Sequence, residues 1–488
     1  MTQNILVIDE GTTSTRAMLF GFDGRPVASA QHGLTQHYPA PGWVEHDAAE
    51  IWERTLLAAR EMVAKAGGAD RIAAIGITNQ RETVVAWDRE TGEPLGNAIV
   101  WQDRRTADRC ADLKEAGHEA SIQAKTGLLL DPYFSASKME WMLQNRPEVR
   151  AAGGPLAFGT IDSWLIWKLT GGAVHATDAS NASRTMLMAL DGQSWDEELC
   201  GLFGIDPATL PAIVDCAGEI ARIDPALFGA PIPICGSAGD QQAATIGQGC
   251  LAPGETKATF GTGAFILTNS GDRPLRSGNR LLTTVLCQQD SNRSYALEGS
   301  VFVAGSLFQW LRDSVGLTVS APESELLARS VPDNGGVFMV PALTGLGAPH
   351  WRAGARALIS GLSFATTKAH IVRAALEAQA HQAHDLMEAF AADGVSWAKL
   401  RIDGGMAANN WLAQDLADML DLPVERPEFV ETTALGAAML AAVGAGIYPD
   451  LRAAAEKMRG DVTHFEPKMG DEERQRRLAG WKGALARI

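Results

Sequence analysis

Two apolar strands joined by a turn of glycine and hydroxyl residues occur twice in this chain. In the first half the turn DEGTTST (residues 9–15) separates strands predicted at residues 5–8 and 16–20. In the second half residues 256–269 repeat this order around Gly261, Thr262 and Gly263. In both halves a helical pattern (residues 47–66 and 371–390) precedes one further strand (72–78 and 399–402). The repeat predicts two related halves of α/β structure.

The length of the chain also calls for more than one domain. Its 488 residues exceed the roughly 250 to 300 residues at which single hydrophobic cores stop growing. We place the boundary where the motif order restarts and expect domains at residues 1–247 and 248–488. Two domains imply a cleft between them, and ligands commonly bind in such clefts.

Charge and composition exclude several classes of partner. A formal net charge of −16 repels the phosphates of nucleic acids and anionic membranes, so we expect neither as a partner. The one long apolar tract, residues 434–448, is rich in glycine and alanine, and we interpret it as a helix packed within a domain. The six cysteines form no Cys-x-x-Cys pair and no signal-peptide pattern precedes the first strand, so we expect free thiols in a cytoplasmic protein.

The first turn has the chemistry of an anion site. Its glycine exposes backbone N–H groups, Thr12, Thr13 and Ser14 add hydroxyls, and Arg16 adds a cation, which together suit a triphosphate. Asp9, at the end of the preceding strand, stands where Mg²⁺ or its water shell would bind. The alternative is a hydroxyl-rich hairpin that binds nothing.

Two further segments follow or join predicted strands. The second turn, residues 261–263, is structural when taken alone, but two such turns could grip phosphates from opposite sides. Residues 403–410 (DGGMAANN) follow the strand at 399–402 and open a helix, a usual ligand position in α/β sheets. The chain has no P-loop, no protein-kinase motif and no Gly-x-Gly-x-x-Gly, which removes the commonest nucleotide-binding folds without excluding ATP.

Asp240 is the candidate for acid–base chemistry. It follows an apolar strand predicted at residues 232–235 and precedes an apparent helix, so its carboxylate emerges at the carboxyl end of a strand. Beside a γ-phosphate such a group would accept the proton of an attacking hydroxyl. The alternative, an aspartate that only caps the following helix, is at least as common.

Arg81 and Glu82 suggest a polyol site. They lie between two predicted strands and could bind neighbouring hydroxyls as donor and acceptor. Trp101, Tyr133 and Phe265 could supply an apolar wall for a carbon chain. Taken singly, these residues would be an ordinary salt bridge and ordinary core aromatics.

Three histidines, His370, His381 and His384, share one predicted helix. We interpret them as structural or solvated rather than metal-binding, because no cysteine or carboxylate stands at matching spacing. A metal centre on this helix is therefore not expected.

Three longer segments resemble the FGGY carbohydrate kinase family. They are residues 133–141 (YFSASKMEW), residues 298–310 (beginning EGSVFVAG and ending QW) and residues 359–377 (beginning ISGL and ending HIVRAALE). With the motifs above they match the family in order over nearly the whole chain. The resemblance implies an α/β fold of two related actin-like (ribonuclease-H-like) ATPase domains flanking a deep cleft. It further implies ATP-dependent, Mg²⁺-assisted phosphorylation of a polyol, with glycerol as substrate, by a homo-oligomer (dimer or tetramer).

The resemblance also assigns roles to individual residues. Glycerol would be bound by a set that we call the polyol residues: Arg81, Glu82, Trp101, Tyr133, Asp240, Gln241 and Phe265. The phosphates of ATP would be bound by Thr12, Thr13, Ser14, Arg16 and Thr262, and the adenosine side would be lined by Gly305, Gln309, Gly405 and Asn409. Asp240 would be the general base, and Asp9 with Asp240 would bind Mg²⁺, partly through water.

Two positions depart from the family pattern. Glu10 stands where the family usually has glutamine, and it would either place a negative charge near the phosphates or face away from them. Residues 228–231 (FGAP) replace a Gly-Gly-Thr-Arg loop by which some bacterial relatives bind fructose 1,6-bisphosphate. We therefore do not expect inhibition by that sugar phosphate.

Two other functions stay open at this point. The chain could be another FGGY kinase that acts on a pentulose, a sugar acid or erythritol, although Arg81 and Glu82 followed by Trp101 favour glycerol. It could instead be an actin-like ATPase that switches or assembles without transferring phosphate to a metabolite. A complete set of polyol residues disfavours the second function, since a switch needs no polyol pocket.

Overall fold

The computed structural model describes residues 3–317, 320–352 and 354–488, apart from the side chain of Ala321. Its strands are, in chain order, β1 (Asn4–Glu10), β2 (Ser14–Phe20), β3 (Pro26–Gly33), β4 (Glu45–His46), β5 (Ile72–Asn79), β6 (Val85–Asp88), β7 (Ala98–Ile99), β8 (Leu156–Gly159), β9 (Ala176–Asp178), β10 (Ala212–Val214), β11 (Ala217–Arg222), β12 (Pro233–Gly239), β13 (Thr256–Phe260), β14 (Ala264–Gly271), β15 (Leu282–Gln289), β16 (Asn292–Val301), β17 (Phe338–Val340), β18 (Leu358–Ser360), β19 (Leu400–Asp403), β20 (Val424–Pro427) and β21 (Val462–Phe465). Its α-helices are α1 (Ala48–Ala66), α2 (Ala107–Glu115), α3 (Glu119–Thr126), α4 (Ser135–Asn145), α5 (Pro147–Ala152), α6 (Ile161–Leu169), α7 (Ala179–Ala182), α8 (Glu197–Leu202), α9 (Pro225–Phe228), α10 (Asp240–Gly247), α11 (Gly305–Asp313), α12 (Ala321–Arg329), α13 (Lys368–Ala392), α14 (Asn410–Leu420), α15 (Thr432–Gly444), α16 (Leu451–Met458) and α17 (Asp471–Leu485). Short 3-10 helices cover Ala69–Arg71, Pro207–Thr209 and Gly405–Ala408.

Two large sheets are built on one plan. The first contains the strand order β12-β5-β1-β2-β3 and the second contains β20-β19-β13-β14-β16. In each sheet a hairpin (β1–β2 or β13–β14) is antiparallel, and its first strand pairs in parallel with the strand that follows a long helix, α1 or α13. Strands β11, β15 and β21 extend the sheet edges. The prediction of two related α/β halves is confirmed.

Residues 5–8 of strand β1 are all apolar because both faces of the first sheet are covered there. Its residues Leu6 and Ile8 belong to the core that includes Ile51 on α1. The alternate residues Ile5 and Val7 belong to the core formed with α15. Side chains alternate between the two faces of a strand, so a strand between two helical layers must be apolar at every position.

Helix α1 begins and ends as its sequence predicts, with one difference. Asp47 is the N-cap and accepts hydrogen bonds from the N–H groups of Ala49 and Glu50, and Gly67 closes the helix with a φ of 92°. The expected capping box is incomplete. The Glu50 carboxylate instead accepts from the N–H and hydroxyl of Thr35, which follows β3, both at 3.1 Å.

Two of the strands that follow β5 lie outside the large sheet. They are the short strands β6 and β7, which pair with β8 and β4 in separate two-stranded sheets. The chain leaves the large sheet at Glu82, whose φ of 62° breaks the extended backbone after β5. Residues 80–232 therefore form an insertion between β5 and β12 that carries much of the predicted polyol site.

Helices α10 and α15 cross at the junction of the halves with almost no space between their backbones. A Cβ on Gly247 would lie 2.0 Å from the carbonyl oxygen of Thr432, and a Cβ on Gly436 would lie 1.8 Å from that of Ala243. Only glycine permits this approach. The interpretation of residues 434–448 as a closely packed helix is confirmed as far as Gly444, where α15 ends, but the helix packs at the junction of the halves rather than within one domain. Among the described residues, no helix is long and apolar enough to cross a membrane.

We expect Gly436→Ala to lower the free energy of unfolding by about 1 to 3 kcal/mol, because the added methyl group overpacks the crossing of α10 and α15. Urea unfolding followed by circular dichroism measures the change. The control is Gly483→Ala on α17, where nothing lies within 4 Å of an added Cβ. A Gly436→Ala protein as stable as this control would contradict the tight crossing.

Candidate active site

The candidate catalytic residues meet at one edge of the first sheet. Asp9 lies near the end of β1, Arg81 and Glu82 follow β5, and Asp240 follows β12. These strands are parallel neighbours, so their carboxyl ends open at the same edge, the usual ligand position in such sheets. The sequence prediction that Asp240 emerges at a strand end is confirmed.

Arg81 lies at the centre of this group and is buried. Its Nε is 3.3 Å from Asp240 Oδ1, and its Nη2 donates to the Tyr133 hydroxyl at 3.3 Å. Its Nη1 and Nη2 also donate to the two carboxylate oxygens of Glu298, at 2.6 and 3.2 Å. Burial disfavours the charge, but Glu298 and Glu82 raise the pKa of Arg81 well above its usual range.

Glu82 is held by a second arginine that sequence reasoning missed. Its Oε1 accepts from Arg184 Nε at 2.6 Å, and Arg184 Nη2 also donates to Glu298 Oε1 at 3.1 Å. Neither Arg184 nor Glu298 is exposed to solvent. Each is the only charged residue in a run of small or apolar residues, and an isolated charge of this kind is a signal that could have identified them.

Asp240 is open to the cleft, and its neighbour is fixed by the second half. The side chain of Asp240 is 34% exposed, and the N-cap of α10 is Gly239, so Asp240 is not the residue that caps this helix. Gln241 Oε1 accepts from Lys257 Nζ, on β13, at 2.5 Å. Lys257 is fully buried, which lowers its pKa. It is a further site residue that the sequence did not indicate.

The three predicted wall aromatics are in contact. The ring centroid of Trp101 lies 5.6 Å from that of Tyr133 and 6.4 Å from that of Phe265, both edge-on. Trp101 Nε1 donates to Thr12 Oγ1 at 2.9 Å, which joins this wall to the first turn. Phe265 belongs to β14, so both halves contribute to the wall.

The first turn is tied to the second half through Arg16. Gly11 N–H donates to the Ser14 carbonyl at 3.1 Å and closes the hairpin. Arg16 Nη2 donates to Asp9 Oδ2 at 2.7 Å, and its Nη1 lies 2.5 Å from Glu431 Oε2. Glu431 immediately precedes α15, so a phosphate bound at this turn would compete with the second half for Arg16.

Asp9 and Asp240 have the chemistry of a magnesium site. Burial raises the pKa of Asp9, Arg16 opposes that effect, and the carboxylates of Glu431 and Asp240 raise it further. These carboxylates therefore repel one another at the open edge of the sheet. A divalent cation with carboxylate, water and phosphate ligands fits this excess of negative charge.

The second turn is fixed against the start of α11. The Thr262 carbonyl accepts from the N–H groups of Ala304 and Ser306 at 3.0 and 3.1 Å, while the Thr262 side chain is exposed. A Cβ on Gly305 would lie 2.5 Å from the Gly261 carbonyl oxygen, so glycine is required where turn and helix meet. Gln309 follows one helical turn later and is also exposed.

Gly405 and Asn409 lie next to this turn. A Cβ on Gly404 would lie 2.6 Å from the carbonyl oxygen of Phe260, so the segment packs against the end of β13. Gly405 itself faces open space. Asn409 caps α14 by accepting from the N–H of Leu412 at 3.0 Å, a structural role in addition to the predicted nucleotide contact.

Glu10 faces away from the phosphate turn. Its Oε2 accepts from the hydroxyls of Thr15 at 2.5 Å and of Thr55, on α1, at 3.0 Å. Burial raises the pKa of Glu10 to about 8, although these hydroxyls oppose the rise. At neutral pH the side chain is a neutral acid, so it stands in for the usual glutamine without adding a charge.

The prediction about the histidines of α13 is wrong in one respect. Carboxylate oxygens of Asp385 and Glu388 lie within 4.8 Å of a ring nitrogen of His384. The spacing argument failed because it overlooked Glu388, which stands four residues after His384 on the same face of the helix, and Asp385, which is its neighbour. Asp385 Oδ2, however, accepts from Trp481 Nε1 at 2.9 Å, and His381 stacks on the Trp481 ring at 5.3 Å, so this region packs α13 against α17.

Comparison with family models covers most of the chain. The model of the FGGY family of carbohydrate kinases, N-terminal domain, matches residues 4–247, and the model of its C-terminal domain matches residues 256–445.

Individual relatives match over the whole length. The chain is 54% identical to a glycerol kinase of Rhodospirillum centenum, covering 99% of this chain and 97% of that protein. It is 53% identical to a glycerol kinase of Ectopseudomonas mendocina, covering 100% and 99% of the two chains. Among solved structures, Plasmodium falciparum glycerol kinase with ADP superposes with a TM-score of 0.93 at 37% identity, covering 100% of this chain and 98% of that chain. These likenesses confirm the expected fold of two actin-like domains.

We expect the stability of the protein to fall as the pH rises from about 4.5 to about 8, in part through Glu10. In this range the unfolded state has lost the Glu10 proton and the folded state keeps it, so the slope is at most about 1.4 kcal/mol per pH unit. Glu10→Gln should remove this contribution and be more stable than the unaltered protein at pH 8 but not at pH 5. Urea unfolding at both pH values measures it.

The matched control is Glu53→Gln, an exposed position on α1. Its stability should follow that of the unaltered protein at every pH. A Glu10→Gln protein with no relative gain at pH 8 would show that Glu10 is ionised in the folded state.

Proposed function

The chain belongs to the FGGY family of carbohydrate kinases, and from this membership we propose that it transfers the γ-phosphoryl group of ATP to glycerol, forming sn-glycerol 3-phosphate. Full-length relatives at 53 to 54% identity are glycerol kinases. The observation that carries the proposal is the position of Asp240. Its partly exposed carboxylate lies 3.3 Å from Arg81 Nε beside the polyol residues, and its charge acts on Asp9 at the first turn.

Glycerol is bound between the two halves. Arg81 and Tyr133 donate to its hydroxyls and Glu82 accepts from them, while Trp101 and Phe265 cover its carbon chain. The aromatic contacts and the Arg81 hydrogen bonds described above support this arrangement. Gln241, held by its bond from the second half, lies next to Asp240 and completes the set.

The phosphates of ATP lie between the two turns. Thr12, Thr13 and Ser14 offer hydroxyl and backbone N–H donors on one side, and Thr262 offers them on the other. Arg16 exchanges its contact with Glu431 for the phosphates. The adenosine side is lined by Gly305, Gln309, Gly405 and Asn409, which the contacts of Gly305 and Gly404 bring close to the second turn.

Asp240 acts as the general base of an in-line transfer. It accepts the proton of a terminal hydroxyl while that oxygen bonds to the γ-phosphorus, and the bond from this phosphorus to the β–γ bridging oxygen breaks to leave ADP. Mg²⁺, held by Asp9 and Asp240 partly through water, neutralises phosphate charge when bound. Arg81 orients Asp240 through its Nε.

The cellular setting and the domain limits are part of the same proposal. The six buried, unpaired cysteines support a cytoplasmic location. The family models end and begin at residues 247 and 256, which supports a domain boundary at 247/248. Family resemblance supports a homo-oligomer, either a dimer or a tetramer.

The substrate is tested with a coupled assay of ADP release using ATP, Mg²⁺ and a panel of glycerol, erythritol, a pentulose and gluconate. We expect the highest kcat/KM with glycerol. Solved xylulose and gluconate kinases share the fold with TM-scores of 0.86 and 0.87. Turnover of one of the larger substrates without turnover of glycerol would assign the chain to another branch of the family, and ATP hydrolysis without any acceptor would favour an actin-like switch.

We expect Asp240→Asn to lower kcat by about 100- to 10,000-fold, because the amide cannot accept the proton. The dissociation constant for ATP, measured by calorimetry, should stay nearly unchanged. The control is Asp224→Asn, a partly buried N-cap of α9 that asparagine can replace. Near-normal turnover of Asp240→Asn would remove this residue from the role of base.

A further inference from the structure

Glu298 lies on a strand of the second half but contacts the polyol residues of the first. It belongs to β16 and is completely buried. Its Oε2 accepts from Arg81 Nη1 at 2.6 Å, and its Oε1 accepts from Arg81 Nη2 at 3.2 Å and from Arg184 Nη2 at 3.1 Å. One carboxylate from the second half thus contacts two arginines of the first.

The fork-like contact fixes the plane of the Arg81 guanidinium. Two parallel hydrogen bonds to one carboxylate hold the guanidinium coplanar with that carboxylate and prevent it from rotating. The Nε edge is then directed to Asp240 at 3.3 Å, and the remaining Nη2–H is directed to the Tyr133 hydroxyl at 3.3 Å. Glu298 therefore fixes the direction in which the Arg81 N–H groups point toward the polyol site.

Charge balance explains why this carboxylate is needed. Arg81 Nε also lies 3.7 Å from Glu82 Oε1, so other carboxylates are within reach. Burial alone would raise the pKa of Glu298, but Arg184 and Arg81 hold it at about 2, so Glu298 stays ionised throughout the working range. Without this charge Arg81 would rotate onto Glu82 or Asp240 and close the space between them.

A second contact of the same kind supports this interpretation. Lys257, also from the second half, is buried and donates to Gln241 Oε1 at 2.5 Å. The second half therefore holds two of the polyol residues, Arg81 and Gln241, by buried charged side chains. Neither Glu298 nor Lys257 is placed to be the base.

We propose that Glu298 is a positioning residue for the polyol site, so that the second half orients Arg81 for glycerol and the site is complete only when the halves are in contact. The proposal rests on the proposed function, since it concerns how that substrate is bound. The simpler interpretation is an ion pair that only holds the halves together. Removing one partner of a buried ion pair is strongly destabilising, and a loss of function through such destabilisation would affect both substrates alike.

The test is Glu298→Gln, which keeps the shape and removes the charge. We expect kcat/KM for glycerol to fall about 100-fold, mainly through KM for glycerol, because an unpaired buried arginine reorients. KM for ATP should stay within about threefold. The matched control is Glu425→Gln, another buried carboxylate of the second half, which pairs with Lys399 and Arg401 outside the cleft. It should leave both KM values within about threefold of the unaltered enzyme.

Several outcomes separate the possibilities. A Glu298→Gln enzyme within about threefold of the unaltered one, or equal rises in both KM values, would overturn the positioning role. If this variant does not fold, Glu298→Asp, which keeps the charge but shortens the reach to Arg81, should raise KM for glycerol by at least about tenfold, and an unchanged KM would overturn the proposal. If the unaltered enzyme does not phosphorylate glycerol, the proposed function itself fails.

Discussion

The junction of the two halves depends on four ionised side chains that are held out of water together: Arg81, Glu82, Arg184 and Glu298. Each of these charges would be costly to bury alone, and the cost is offset only when opposite charges meet with good geometry. Three of them come from the first half and Glu298 comes from the second. The halves must therefore lie where Glu298 reaches both arginines, and the strand ends of the two sheets are brought together at this point.

The same duplicated hairpin is used differently in the two halves. The first hairpin presents side chains, namely a run of hydroxyls and the Arg16 cation, which is shared between Asp9 and Glu431. In the second hairpin the Thr262 carbonyl accepts hydrogen bonds from N–H groups at the start of α11, so these bonds fix the backbone of the turn. A cation shared between two carboxylates on one side and a fixed turn on the other suit a substrate that carries phosphate charge.

Much of the fold could be predicted from the sequence because its signals are local. The hairpins, α1 with its Asp47 cap and Gly67 stop, and the helix through Gly436 follow from periodicity and turn chemistry over a few residues. The sequence does not indicate that β6 and β7 lie outside the large sheet, because periodicity alone does not say with which partner a strand pairs. The chain turns away from that sheet at Glu82, and no residue type in the sequence signals this turn.

The candidate site was predictable in part for the same reason. Ligands bind at the carboxyl ends of strands in α/β sheets, and the end of a strand is predicted by the end of a run of apolar residues. Such positions are occupied by Asp240, Arg81 and Glu82. Arg184, Lys257 and Glu298 were missed because their partners lie 102, 16 and 217 residues away in the chain. Only the presence of a lone charge in a buried segment hints at such residues, and it does not identify the partner.

The junction of the halves is held by different contacts at the crossing of α10 and α15 and at the cleft. This difference determines which contacts must break when the cleft widens. At the crossing of α10 and α15, glycines bring backbone against backbone. On the cleft side the halves are joined by ion pairs of Arg16 and of Arg81; the Arg16–Glu431 pair is partly exposed to solvent, and the Arg81–Glu298 pair is buried. Asp240 begins α10 and Glu431 precedes α15, so both lie at the ends of the crossing helices. Widening the cleft would therefore break the contacts of Arg81 with Glu298 and of Arg16 with Glu431.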